Sequence, residues 1–143
     1  MSYEDWYVRH GEKHRIIVEK LIAQGYTKDR IIEYFDFDSM VENEPNFCVL
    51  YAQPKKCHSI DKLNCFLCAC PLFRFNDNGV EMRGDNQVRS YCAVHSKHGT
   101  QSLFGDVIHQ DCKNCSVPHS KKYVQKNFDV NWFNVMSNCN TSK

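Results

Sequence analysis

Cys65-Phe66-Leu67-Cys68-Ala69-Cys70-Pro71-Leu72 and Asp111-Cys112-Lys113-Asn114-Cys115-Ser116-Val117-Pro118-His119 are the two stretches that decide how this chain is read. Each holds a Cys-x-x-Cys pair with a further donor within four residues. Thiols spaced this way turn their sulfurs to one side of a tight turn. Two such knuckles from distant parts of a chain complete the tetrahedral shell of a metal ion. Just upstream of the first knuckle lie Cys57 and His58.

The candidate metal ligands are therefore Cys57, His58, Cys65, Cys68, Cys70, Cys112, Cys115 and His119. That set exceeds what one tetrahedral ion takes. Two zinc ions with four ligands each, or one four-ligand site with spare thiols, both satisfy the spacing. The most economical first site takes Cys65, Cys68, Cys112 and Cys115; a second draws on Cys57 or His58, Cys70 and His119. Cys48 and Cys92 read as small buried apolar residues, and Cys139 as a free thiol near a fraying end. His10 and His14, four apart on one helical face, read as packed side chains. His95, His98 and His109 read as loop histidines. Paired knuckles with a histidine donor favour zinc. The Cys-x2-Cys-x-Cys-Pro run keeps a [4Fe-4S] cluster as the alternative, because soft thiolates serve both.

The remaining composition excludes several classes. A formal net charge of +1 gives no field for nucleic acid, anionic lipid or acidic substrates. The first residues carry early charge and no apolar stretch like that of a secretory leader, and no run approaches the length needed to span a bilayer. The expectation is a reducing cytoplasm, where nine clustered cysteines mean metal or redox chemistry rather than disulfides. No nucleophile–base pair, phosphate loop or dinucleotide fingerprint is present.

Around the knuckles, apolar residues recur at three- and four-residue steps over 4–24, which predicts an amphipathic helix closed by Gly25. Thr27 fits the N-cap of a second helix through Ile31-Ile32-Glu33-Tyr34-Phe35. Asp38–Glu42 adds a short helical turn. This pair superficially resembles a helix-turn-helix, but only Lys28 and Arg30 suit a DNA reader, so it reads as an α-hairpin packed on the metal core. Residues 45–64 read as an irregular connector. Turn signals at 76–79 and 84–86 separate short antiparallel strands near Leu72–Phe75, Val80–Met82 and Gln87–Tyr91. Residues 92–105 show little periodicity, and a last helix is expected over Tyr123–Met136 with a break at 129–131.

The joint pattern Cys57-His58-x4-Lys62-Leu63-Asn64-Cys65-x2-Cys68-x-Cys70-Pro71-Leu72, then Asp111-Cys112-x2-Cys115-x2-Pro118-His119, resembles the cysteine-rich small domain family of bacteria and archaea. The match covers about residues 54–126. The resemblance implies a zinc-finger-like, metal-binding domain without a settled activity. It also implies Cys57, Cys65, Cys68, Cys70, Cys112, Cys115 and His119 as ligands, with His58 matching too. Here 41 residues separate Cys70 from Cys112 and include Cys92, a longer span than the family's. The N-terminal 46 residues also lie outside it.

Together these readings predict a small metal-stabilised α+β domain with a zinc-knuckle centre, short antiparallel strands, an N-terminal α-hairpin and a C-terminal helix. The expected division is a helical segment over 1–46 and a cysteine-rich domain over 47–143 with an insertion at about 74–110. The expected function is an interaction or binding module with a structural zinc, its partner a protein or a small-molecule substrate. The alternative is an iron–sulfur or catalytic-zinc enzyme or redox protein with His109, Gln110, Asp111 and His119 as acid–base candidates.

Overall fold

The structure is a computed structural model that describes residues 2–53, 55–58, 60–112 and 114–142. Pro54 of the connector and Lys113 of the second knuckle lie outside the described residues. Helix α1 runs Tyr3–Ala23. The Ser2 side chain accepts from the Asp5 amide, and Glu4 and Asp5 face the positive end of the helix dipole. Gly25 closes the helix at φ +81°, a conformation costly to any residue with a Cβ. Helix α2 spans Lys28–Tyr34, with Thr27 accepting from the Arg30 amide, and α3 spans Phe37–Asn43. A 3-10 turn follows at Val49–Ala52.

Six short strands occupy the middle of the chain: β1 Phe73–Phe75, β2 Glu81–Arg83, β3 Asn86–Val88, β4 Ser90–Cys92, β5 Thr100–Phe104 and β6 Val107–Asp111. Strands β1 and β4 form an antiparallel pair with Phe73 opposite Cys92. The other four form a sheet in the order β2-β3-β6-β5. The expected antiparallel pairing holds except between β3 and β6, which run parallel. Strand β5 falls where the sequence shows little periodicity. Its side chains are mostly exposed, so no alternating burial marked it.

A 3-10 turn at Val117–His119 leads into α4, Lys121–Asn127, and α5, Trp132–Val135. The expected last helix is thus two pieces. Asn131 starts the second by accepting from the Phe133 amide. At Gly11 the Phe133 ring sits so close to α1 that a Cβ would collide with it.

One apolar core draws on both ends of the chain. Leu21, Ile32, Phe35, Met40, Phe66 and Val124 are fully buried, with Trp132 nearly so. Phe66 and Leu67, the two residues inside the first knuckle, belong to this core. Burying such side chains contributes about 1.5–3 kcal/mol each, so helical packing fixes where the knuckle stands. The buried Ile31 and Ile32 make α2 a packing element. Lys28 and Arg30 lie over the Phe128 and Tyr26 rings. His10 and His14 are also buried. Cys139 corrects the sequence expectation: its side chain is fully buried, because the terminal segment pairs beside β1 through Phe75 and Thr141.

Candidate metal centre

Three contacts position the first knuckle. The Phe37 amide donates to the Leu63 carbonyl at 2.8 Å, and the Cys65 amide donates to the Phe35 carbonyl at 2.8 Å. The third runs through Asn64, which is fully buried. Its side-chain amide donates to the Ile32 carbonyl at 2.7 Å and to Asp36 at 2.8 Å, and its oxygen accepts from the Phe66 amide at 2.9 Å. The Asn64 backbone amide donates to the His119 carbonyl at 2.9 Å. Asn64 therefore ties the helices, the first knuckle and the second knuckle together. The sequence reading carried this residue only as a member of the joint pattern before Cys65 and gave it no role.

Beyond Cys68 the backbone leaves its usual conformations. Ala69 and Cys70 take φ of +88° and +58°, strained values for residues with a Cβ. They turn the chain so that Cys68 and Cys70 both reach the same cavity.

Among the described residues, Cys57, His58 and His119 form the one group whose ligand atoms all lie within 4.8 Å of one another. The Cys57 sulfur is 3.1 Å from His58 Nδ1 and 3.7 Å from His119 Nε2. The opposite nitrogen of each ring donates to a backbone carbonyl: His119 Nδ1 to Asn64 at 2.9 Å, and His58 Nε2 to Cys112 at 2.8 Å. A carbonyl only accepts, so those nitrogens carry the protons. His58 Nδ1 and His119 Nε2 then keep their lone pairs, and both face Cys57. Metal-ligating histidines are oriented in this way.

This group opens on a cavity of about 380 Å³ whose walls also include Cys68, Cys70, Cys112 and Cys115. Cys65 is buried beside them rather than on the wall. The structure thus gathers the predicted ligands at one place, with Cys57, His58 and His119 the closest set rather than the two knuckles.

Burial is the main influence on these thiols. It pushes Cys65 and Cys70 up to about 12 and Cys112 to about 11, with neighbouring thiols adding to each rise. Cys57 and Cys68 move the same way for the same cause. Burial holds the His119 imidazole below its ordinary range; the Asn64 carbonyl opposes this and His58 adds to it. A His119 imidazole held neutral and crowded thiols match the needs of a soft cation, which deprotonates the thiols it binds. The buried Tyr51 hydroxyl has no hydrogen-bond partner among the described residues and lies beside the Cys65 thiol. There it is placed to donate to a thiolate.

The acid–base candidates do not all assemble here. His109 lines a separate cavity with Tyr3, Asp77 and Arg89, and Tyr3 hydrogen-bonds its Nδ1. Asp111 accepts from Ser102 at 3.3 Å. His95 stacks near Tyr91, and His98 faces a further cavity beside Lys122. Only Gln110 shares the cysteine-lined cavity with His119.

No helix of the described residues is long and apolar enough to cross a membrane. Comparison with known proteins finds no matching family model, no matching curated protein and no matching solved structure.

Proposed function

We propose that this chain is a zinc protein whose ion is structural and that it serves as a binding module for another protein. The observation that supports this most directly is the pair of imidazoles: each is pinned through one N–H to a backbone carbonyl, with its other nitrogen facing the Cys57 thiol. Cys68, on the wall of the same cavity, offers the fourth donor. A zinc ion supplies there the positive charge that holds the thiolates. Four protein donors fill a tetrahedral shell, whereas catalytic zinc keeps one position for water. The place of His109 in another cavity, with Asp77 and Arg89, favours the structural reading over the enzyme. Met82 and Phe104 stand in one cross-strand row of the four-stranded sheet, both exposed, and offer a partner protein apolar side chains on one face. A net charge of +1 offers nothing comparable to nucleic acid.

The test is elemental analysis with a visible spectrum on protein purified without oxygen, beside His119→Ala. Colourless zinc in the natural chain, and less of it in the variant, is the expected result. Iron with acid-labile sulfide and brown absorbance would replace zinc with a [4Fe-4S] cluster. A folded chain that binds neither would overturn the metal reading.

A further inference from the structure

A second, smaller and more enclosed cavity of about 160 Å³ has Cys70, Cys92, Cys112 and Cys115 on its walls. The fold brings these thiols together from three parts of the chain. Cys70 stands at the end of the left-handed turn, just before Pro71-Leu72 leads into β1. Pairing of β1 with β4 sets Cys92 opposite Phe73, and the Ala93 amide donates to the Leu72 carbonyl at 2.8 Å. The Cys115 amide donates to the Cys112 carbonyl at 3.0 Å, closing the second knuckle. Ser96 clips the last two elements together: its amide donates to the Cys92 sulfur at 3.5 Å, and its hydroxyl lies 3.6 Å from the Cys115 sulfur. All four cysteines are free.

Resting on the reading that this is a metal protein, we propose that Cys70, Cys92, Cys112 and Cys115 form a second, all-thiolate zinc site, distinct from the Cys57–His58–His119 group. Four soft sulfur donors on the walls of one small cavity suit tetrahedral zinc. The four sulfurs stand further apart than the ligand atoms of the compact Cys57–His58–His119 group. Bound zinc needs sulfur–sulfur separations of roughly 3.8 Å, given Zn–S bonds of about 2.3 Å, so on this proposal the cysteine side chains close on the ion as it binds. The two knuckles then serve different ions, unlike the most economical partition of the sequence. Cys92, in the stretch that separates the knuckles, is a ligand rather than an apolar filler.

The test is native mass spectrometry of the full reduced chain titrated with zinc alone, together with Cys92→Ala and His119→Ala. The expected result is two ions per natural chain, with each variant holding one fewer and the double variant holding none tightly. One ion per natural chain, kept by Cys92→Ala and lost by His119→Ala, overturns the second site while the first stands. Two ions that both survive Cys92→Ala also overturn it. No bound ion overturns both readings. Where Cys92→Ala is insoluble, the count on the natural chain decides by itself: one ion is fatal to the second site.

Discussion

The helical part and the strand part of this protein are held by different means. In α1–α3, helical spacing turns Leu21, Ile31, Ile32, Phe35 and Met40 inward, and all five are buried. In the four-stranded sheet only Val88 is buried; β2 is exposed throughout and β5 nearly so. Three- and five-residue strands with so little apolar burial do not stabilise themselves in water. Thiols and imidazoles lie between the two parts, where apolar packing gives out. On the proposed reading, the metal supplies the cohesion that the strand part lacks. The helical part supplies the rigid wall on which Phe66 and Leu67 anchor the first knuckle.

Removal of the ion is the strongest way to break that contrast. Structural zinc in small domains contributes about 10–16 kcal/mol of apparent folding free energy, as much as the whole stability of an ordinary domain. Chelation is expected to abolish cooperative folding, with hydrogen exchange rising first and most across residues 57–119 and residual protection confined to α1. Exchange that stays uniform and slow after complete metal removal would show that packing alone holds both parts. Asn64→Ala comes next, because this residue bridges the parts. It leaves the Phe66 amide without its Asn64 acceptor, at about 1–3 kcal/mol for a buried group, while the Ile32 carbonyl keeps the Phe35 amide as a donor. It also frees the segment that orients His119, for which an affinity loss of about 10–100-fold is expected. Urea midpoints and competition with a zinc indicator read the two effects separately. A stability loss with zinc affinity intact would confine Asn64 to packing.

The same contrast governs what was legible in the sequence. Helices α1 and α2 were readable because their apolar spacing and the Thr27 and Gly25 signals are local. The Cys and His spacing likewise named the thiols and imidazoles on the walls of the cysteine-lined cavity, along with Cys65, which is buried off its walls. Strand β5 was not readable, since an exposed strand has no alternating burial to display. The parallel β3–β6 pairing and the closeness of Cys57 to His119 depend on chain reversals far from either residue. Asn64 stood in the joint pattern without a role, because that role lies in contacts with Ile32, Asp36 and His119 that sequence neighbours do not reveal. Cys139 was misplaced because position near an end says nothing about the pairing of Phe75 with the terminal segment.

Acid sharpens the comparison from the helical side. Burial, with Lys13 adding, holds His10 down to about 4. Burial, with His10 adding, holds His14 to about 3. His14 Nε2 donates to the Phe66 carbonyl at 3.1 Å, while its Nδ1 and the Nε2 of His10 have no hydrogen-bond partner among the described residues. The folded state thus keeps both rings neutral and the unfolded state takes up their protons. Their stabilisation is full above pH 6.5 and declines as pH falls from there toward 4 and 3. Between pH 6.5 and 5 the loss is about 2 kcal/mol per ring. In zinc-saturated protein, His10→Gln is expected to show a shallower fall of the urea midpoint over that range than the natural chain. Equal slopes would place the acid sensitivity in the metal centre instead.

Ala69→Gly is the smallest and the most pointed change. Holding an alanine at φ +88° costs about 1–3 kcal/mol, which glycine avoids, although glycine gives back about 0.4–1 kcal/mol through the greater freedom of the unfolded chain. The alanine methyl packs against the core, and the Ala69 carbonyl accepts from the Tyr7 hydroxyl at 3.2 Å; glycine keeps the second contact and loses the first. The expected balance is a gain of about 1 kcal/mol, a rise of a few degrees in the thermal midpoint, with zinc stoichiometry unchanged. A gain shows that the corner between Cys68 and Cys70 is strained into place by the donors on either side of it. A loss shows the reverse, that the methyl's seat in the helical core sets the turn and the donors follow, which would shift the organising role from the metal to the packing at this one residue.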